Sequence, residues 1–163
     1  MELKNALLAK TDIKLTQWMA RNGILFLRLS VGIIFLWYGF LKFFPDVSSA
    51  ESLATRTIEM LSFGIVSGKS AMIILASWEV LIGLGLISGL FLRETLLLLF
   101  MQMAGAMTPL FLFPAETFTI FPWVPTLEGQ YIFKNLVIIS AGIVIGATVR
   151  GGRLLSVPVK DLS

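Results

Sequence analysis

Glu79 lies inside the apolar run Ala71 to Leu92, and counting inward from Ala71 at about 1.5 Å per residue puts it roughly 12 Å from the nearer end. If that run crosses a bilayer, a carboxylate at that depth is too short to reach water. It is protonated, paired, or set in a hydrated cavity. Lys134 and Lys42 fall at similar depth in two other apolar runs, and a long lysine turned inward can meet Glu79. Gln102, Thr108 and Asn135 add neutral hydrogen-bonding groups. A carboxyl and an ammonium in an apolar pocket suit proton exchange and hydrogen bonding to a ligand's oxygens, so Glu79 and Lys134 are the candidate catalytic pair. Lys42, Gln102, Thr108 and Asn135 are candidate ligand-binding groups. The structural alternative is a buried Glu–Lys pair that only fixes helix register.

Other chemistry is excluded by residue type. The chain has no Cys and no His, so disulfides, thiol redox centres, Cys-ligated iron–sulfur clusters and His-ligated haem or zinc are ruled out within it, and no metal site is expected. Gly64 to Ser70 imitates a phosphate-binding loop. It has three residues between its glycines where the motif needs four, and it leads into an apolar run where the motif follows a strand.

The elements that would position these groups are four apolar stretches, 24–44, 71–92, 95–113 and 131–149, each near the roughly 20 residues that cross a hydrocarbon core in helix. Hydrophobic residues make up 56% of the 163, charged residues 14%, and the mean hydropathy is +0.88, which leaves too little polar surface for a soluble globule. The expected fold is an all-α integral membrane bundle of four transmembrane helices, with an N-terminal amphipathic interfacial helix and a short outer-loop helix. Residues 1–23 form the interfacial segment, 24–149 the membrane domain and 150–163 a basic tail. In the first span Arg28, Gly32, Phe35, Gly39 and Lys42 share one helical stripe, with the two cations roughly 21 Å apart along the axis. Gly85 and Gly89, and Gly142 and Gly146, form G-x-x-x-G pairs suited to close helix contact.

The net charge of +3 is distributed unevenly. Lys4, Lys10, Lys14 and Arg21 precede the first span, Arg93 sits in the second connection, and Arg150, Arg153 and Lys160 follow the last. The first and third connections carry Asp46, Glu51, Glu59, Glu116 and Glu128 against Arg56 and Lys69. The positive-inside bias therefore puts both termini in the cytoplasm, and the basic residues gather on one membrane face rather than in a groove for nucleic acid. Leu3, Leu7, Leu8, Ile13, Leu15, Trp18 and Met19 recur at helical spacing among lysines, as in a surface-lying helix. Ser48 and Glu51 read as a capping box that opens the outer-loop helix, and the Pro- and Phe-rich third connection as an irregular loop able to lid the bundle.

Three pieces of the chain, RLSVGIIFLWYGFLKFF, WEVLIGLGLISGLFLR and PTLEGQYIFKNLVIISAGIVIG, resemble the DoxX family of small four-span bacterial and archaeal membrane proteins. The resemblance implies a redox-linked subunit of the cell (inner) membrane, with Lys42, Glu79, Arg93, Glu128 and Lys134 at the positions that carry the family pattern. Glu128 thereby joins the candidate ligand-binding residues. The family takes its name from a subunit of a thiosulfate:quinone oxidoreductase, and other members are linked to oxidative-stress defence.

The leading expectation is an integral subunit of a quinone-interacting membrane complex. It would act with a second protein subunit in contact with the lipid bilayer, hold no cofactor of its own beyond a bound quinone, and be open to homo-oligomerisation. A non-catalytic accessory or assembly subunit is the alternative. A transporter of a small anion or weak acid is the third reading, which lacks the inverted repeat or broken helix pair of many transporters.

Overall fold

The computed structural model describes residues 2–44 and 51–152, with the backbone alone for residues 2–10. It contains four helical segments long and apolar enough to cross a membrane: Thr11–Leu41, Gly68–Ser88, Leu92–Leu112 and Leu127–Gly146. The chain is an all-α, four-span membrane bundle. The capping box at Ser48 and the tail beyond residue 152 lie outside the described residues.

The first span belongs to α1, Glu2–Leu41, an unbroken helix that also takes in the N-terminal segment expected as a separate element. Nothing in the sequence interrupts it. No proline occurs before Pro45, and Gly23 alone is a modest helix cost. The side chains of Ile13, Leu15, Trp18 and Met19 are exposed.

Helix α2, Glu51–Leu61, is the short helix of the first connection, with Glu51 in its first turn. Helix α3, Gly68–Ser88, stops at Gly89, whose φ of 74° is left-handed and whose N–H donates to the Gly85 carbonyl at 3.0 Å. A glycine enters that region without steric cost, so the chain turns there rather than at Leu92. Arg93 consequently falls in the first turn of α4, Leu92–Met107.

Pro109 opens the one-turn helix α5, Pro109–Leu112. Having no N–H, Pro109 cannot donate to the Gly105 carbonyl one turn back. The Thr108 N–H and hydroxyl donate to that carbonyl instead, at 3.1 and 2.6 Å.

The third connection is more ordered than its prolines suggest. It holds α6, Pro114–Thr117, and an antiparallel pair of strands, β1, Phe118–Ile120, and β2, Val124–Pro125. The fourth span follows as α7, Leu127–Phe133, and α8, Asn135–Gly146, separated at Lys134. Thr126 caps α7, its hydroxyl accepting from the Gly129 N–H at 3.2 Å and donating to the Glu116 carbonyl at 2.6 Å. A Cβ on Gly129 would lie 2.0 Å from the Thr117 carbonyl oxygen, which gives the Glu128-Gly129-Gln130-Tyr131 stretch a packing reason for its glycine.

The main core joins Val31 and Phe35 of α1, Ile82 and Leu86 of α3, Leu96, Leu99 and Met103 of α4, and Ala141 and Ile145 of α8. A smaller core of Leu53, Leu110, Phe118 and Ile132 ties α2 to the third connection and α7. Helices α1 and α3 approach closely enough that a Cβ on Gly83 would sit 2.6 Å from the Leu36 nitrogen. The G-x-x-x-G glycines also serve contacts within the chain: Gly85 faces Thr95, and Gly142 faces Phe100 and Leu99.

Candidate functional site

Glu79 sits near the midpoint of α3, is 9% exposed, and receives a hydrogen bond on each carboxylate oxygen from a different helix or helix end. The Lys42 ammonium, in the turn that ends α1, donates to Oε2 at 2.6 Å. The Gln102 amide, on α4, donates to Oε1 at 2.7 Å. Three elements thus close on one carboxyl group.

Local packing produces this closure. A Cβ on Gly39 would lie 2.8 Å from Cβ of Glu79 and 3.0 Å from the Val80 nitrogen, so the missing side chain lets the end of α1 rest on α3 at the level of Glu79. Helix α1 stops there, while α3 continues for roughly 16 Å to Gly68 at 1.5 Å per residue. Lys42 therefore meets its partner deep along α3, and its positive charge also suits the C-terminal end of α1. On the other side, Trp78 Nε1 donates to the Leu98 carbonyl at 3.1 Å, joining α3 to α4 one turn before Gln102.

Lys134 stands apart from this cluster. Its ammonium lies 4.4 Å from the centre of the Tyr131 ring, and its side chain is exposed. The sequence expectation that Lys134 and Glu79 share a pocket is therefore replaced by the Lys42 pairing. The reason is topological: α3 packs chiefly on α1, whereas α8 packs on α4. Depth from the sequence placed both lysines at the right height without saying which helix neighbours α3.

The other candidate residues have local roles. The Thr108 hydroxyl serves the Gly105 carbonyl, Asn135 is half-buried at the start of α8, and Glu128 is exposed in the first turn of α7, where a carboxylate suits the helix N-terminus.

The sequence reading missed an ion pair between the first and third connections. Arg56 of α2 and Glu116 of α6 form a two-pronged pair, one arm at 2.8 Å, and the Arg56 guanidinium lies 5.1 Å from the Phe113 ring centre. The hydrogen bonds and charge of Arg56 hold the Glu116 carboxyl below its usual range, and Glu116 in turn raises Arg56. The available signal was the sole arginine of the first connection facing an acidic third one. Elsewhere in that loop Phe118 packs into the smaller core, while Phe121 is exposed and Trp123 is 82% exposed.

The Lys42–Glu79–Gln102 cluster is a closed hydrogen-bonded unit with limited access, the Lys42 and Glu79 side chains being 15% and 12% exposed. An ammonium has three protons, so Lys42 retains donors beyond the one given to Glu79. These groups fit a ligand carbonyl oxygen that approaches from the apolar surface. Each of the two cavities described below is lined by other residues, so such an approach is superficial or displaces one arm of the cluster.

The fold and this charged centre define a small four-span membrane protein built around an intramembrane carboxylate. The chain belongs to the DoxX family, whose model matches residues 23–115, taking in the greater part of the first span, the second and third spans and all three residues of the cluster. No curated protein and no solved structure matches the chain.

Proposed function

We propose that this protein is a membrane subunit of a redox-linked complex in which the Lys42–Glu79–Gln102 cluster meets the head group of a quinone. The observation that carries the reading is a largely buried carboxyl group held by donors from two other helices, with Lys42 and Glu79 still slightly open to the bilayer. A quinone, when bound, supplies a two-electron, two-proton carrier. In that arrangement Lys42 donates a hydrogen bond to a ring oxygen, Glu79 holds or passes a proton beside it, and Gln102 keeps the carboxyl oriented. Electrons come from a partner subunit, since the chain has neither Cys nor His. The distribution of basic residues supports a cytoplasmic position for both termini.

A second reading, a non-catalytic accessory subunit, is favoured by one observation: both oxygens of Glu79 already have donors within the chain. A short-chain quinone separates the two. On the proposed reading it raises the melting temperature of the wild-type protein in detergent. Glu79→Gln or Lys42→Met then removes most of the rise, while Lys134→Met keeps it. Equal rises in the wild type and all three variants would mean non-specific partitioning and leave the accessory reading standing.

A further inference from the structure

At the end of the bundle away from α2, the Arg28 side chain is wedged between α1 and the turn after α3. Its Nε is buried and has no hydrogen-bond partner among the described residues. A Cβ on Gly89 would lie 2.4 Å from its Nη1, so the guanidinium occupies space that only a glycine leaves free. An unpaired buried donor on a permanent cation is costly, which calls for an acceptor beyond the described residues.

The surroundings narrow down that acceptor. Arg28 lines a cavity of about 240 Å³ with Arg21, Ile24, Leu25, Leu92, Ile145 and Thr148. The Thr148 hydroxyl is committed to the Ile145 carbonyl at 2.7 Å, so the two arginines are the side-chain donors facing the cavity. Among the described residues no carboxylate lines it. A second cavity, across the start of α4 and the end of α8, repeats the pattern with Arg93 and Arg150 among Leu96, Leu97, Phe100 and Val149. Two guanidinium groups beside an apolar wall match a phosphate group whose molecule continues into hydrocarbon.

We infer that the Arg21–Arg28 cavity between α1, α4 and α8 binds the head-group phosphate of an anionic phospholipid, with its acyl chains along Ile24, Leu25 and Leu92. The site is independent of the Glu79 cluster, which lies on the far side of the Arg28–Gly89 contact. A fork of donors held in place by packing gives a preference for phosphate that a surface lysine lacks.

Short-chain phosphatidylglycerol, short-chain phosphatidylcholine and inorganic phosphate, each added to the delipidated full-length protein in mild detergent, test this through thermal shift. Native mass spectrometry counts the bound lipid. Phosphatidylglycerol is expected to raise the melting temperature and to add a bound lipid. Phosphatidylcholine and inorganic phosphate should do so much less.

Arg28→Gln should weaken the phosphatidylglycerol affinity roughly tenfold, as expected for losing a hydrogen bond to a charged group. Arg21→Gln, at an exposed position, should weaken it several-fold, and Lys14→Gln should leave it unchanged. An affinity unaffected by Arg21→Gln and Arg28→Gln overturns the assignment. An equal response to phosphatidylcholine, which carries the same phosphodiester but no net charge, would show that the cavity does not select an anionic lipid, and an equal response to inorganic phosphate would reassign the cavity to a free anion. Either result overturns the assignment to an anionic phospholipid.

Discussion

Lys42 and Glu79 are 37 positions apart in sequence, yet their charged atoms stand 2.6 Å apart, with Gly39 one turn before Lys42 resting on the Glu79 backbone. The glycine and the lysine act together: the first brings α1 onto α3, and the second uses that proximity. In a medium with no water to solvate a lone ion, this pairing accounts for a charged residue at the midpoint of a span.

The pairing is measurable as a thermodynamic coupling. Lys42→Met and Glu79→Gln should each destabilise the protein in detergent by about 3 kcal/mol, because each strands the other's polar group. The double variant should cost less than the sum by about 1–3 kcal/mol. Lys134→Met should combine additively with Glu79→Gln. Coupling between Glu79 and Lys134 comparable to that with Lys42 would contradict the arrangement described here.

Glycine substitutions test the helix contact that builds the site. Gly83→Ala puts a methyl group 2.6 Å from the Leu36 nitrogen, and Gly39→Ala puts one 2.8 Å from Glu79 Cβ. Both should lower the melting temperature, with overpacking costs of about 1–3 kcal/mol. Gly105→Ala meets nothing within 4 Å and sits inside α4, so it should be neutral or stabilising by up to about 1 kcal/mol. Equal losses at all three positions would refute close approach as the cause.

The Arg56–Glu116 pair should make the contact between α2 and the third connection sensitive to acid. The Glu116 carboxyl is held below its ordinary pKa, so its contribution is present at neutral pH and is lost as the pH falls below the usual carboxylate value through the lowered one. The raised pKa of Arg56 keeps that partner charged throughout this range. The protection of α2 amides against hydrogen exchange, taken relative to the intrinsic rate at each pH, should fall in acid and in high salt for the wild type. In Glu116→Gln that protection should already be lower at neutral pH and change little on acidification. An unchanged acid response in that variant would assign the effect to another group.

Topology follows from the uneven distribution of lysine and arginine. In this Cys-free chain, Trp123→Cys, at a position 82% exposed in the third connection, should react with a membrane-impermeant thiol reagent on intact cells. Lys14→Cys should react only after the membrane is opened. The reverse pattern would invert the orientation.

The number of spans, their approximate limits and the depth of Glu79 were legible from hydropathy and rise per residue alone, because bilayer thickness makes helix length a one-dimensional property. The excess of arginine and lysine around one set of connections was equally plain. The partner of Glu79 was not, since Lys42 and Lys134 have similar depths and only the packing of α3 against α1 distinguishes them. The same limit hid the Arg56–Glu116 pair and the lodging of Arg28 against Gly89, both contacts between residues about 60 positions apart. Sequence periodicity states how far along an axis a side chain lies and, within one helix, which neighbours share its face. Which helix that face meets depends on close approach at Gly39 and Gly83 and on the turn at Gly89, and tertiary structure alone decides it.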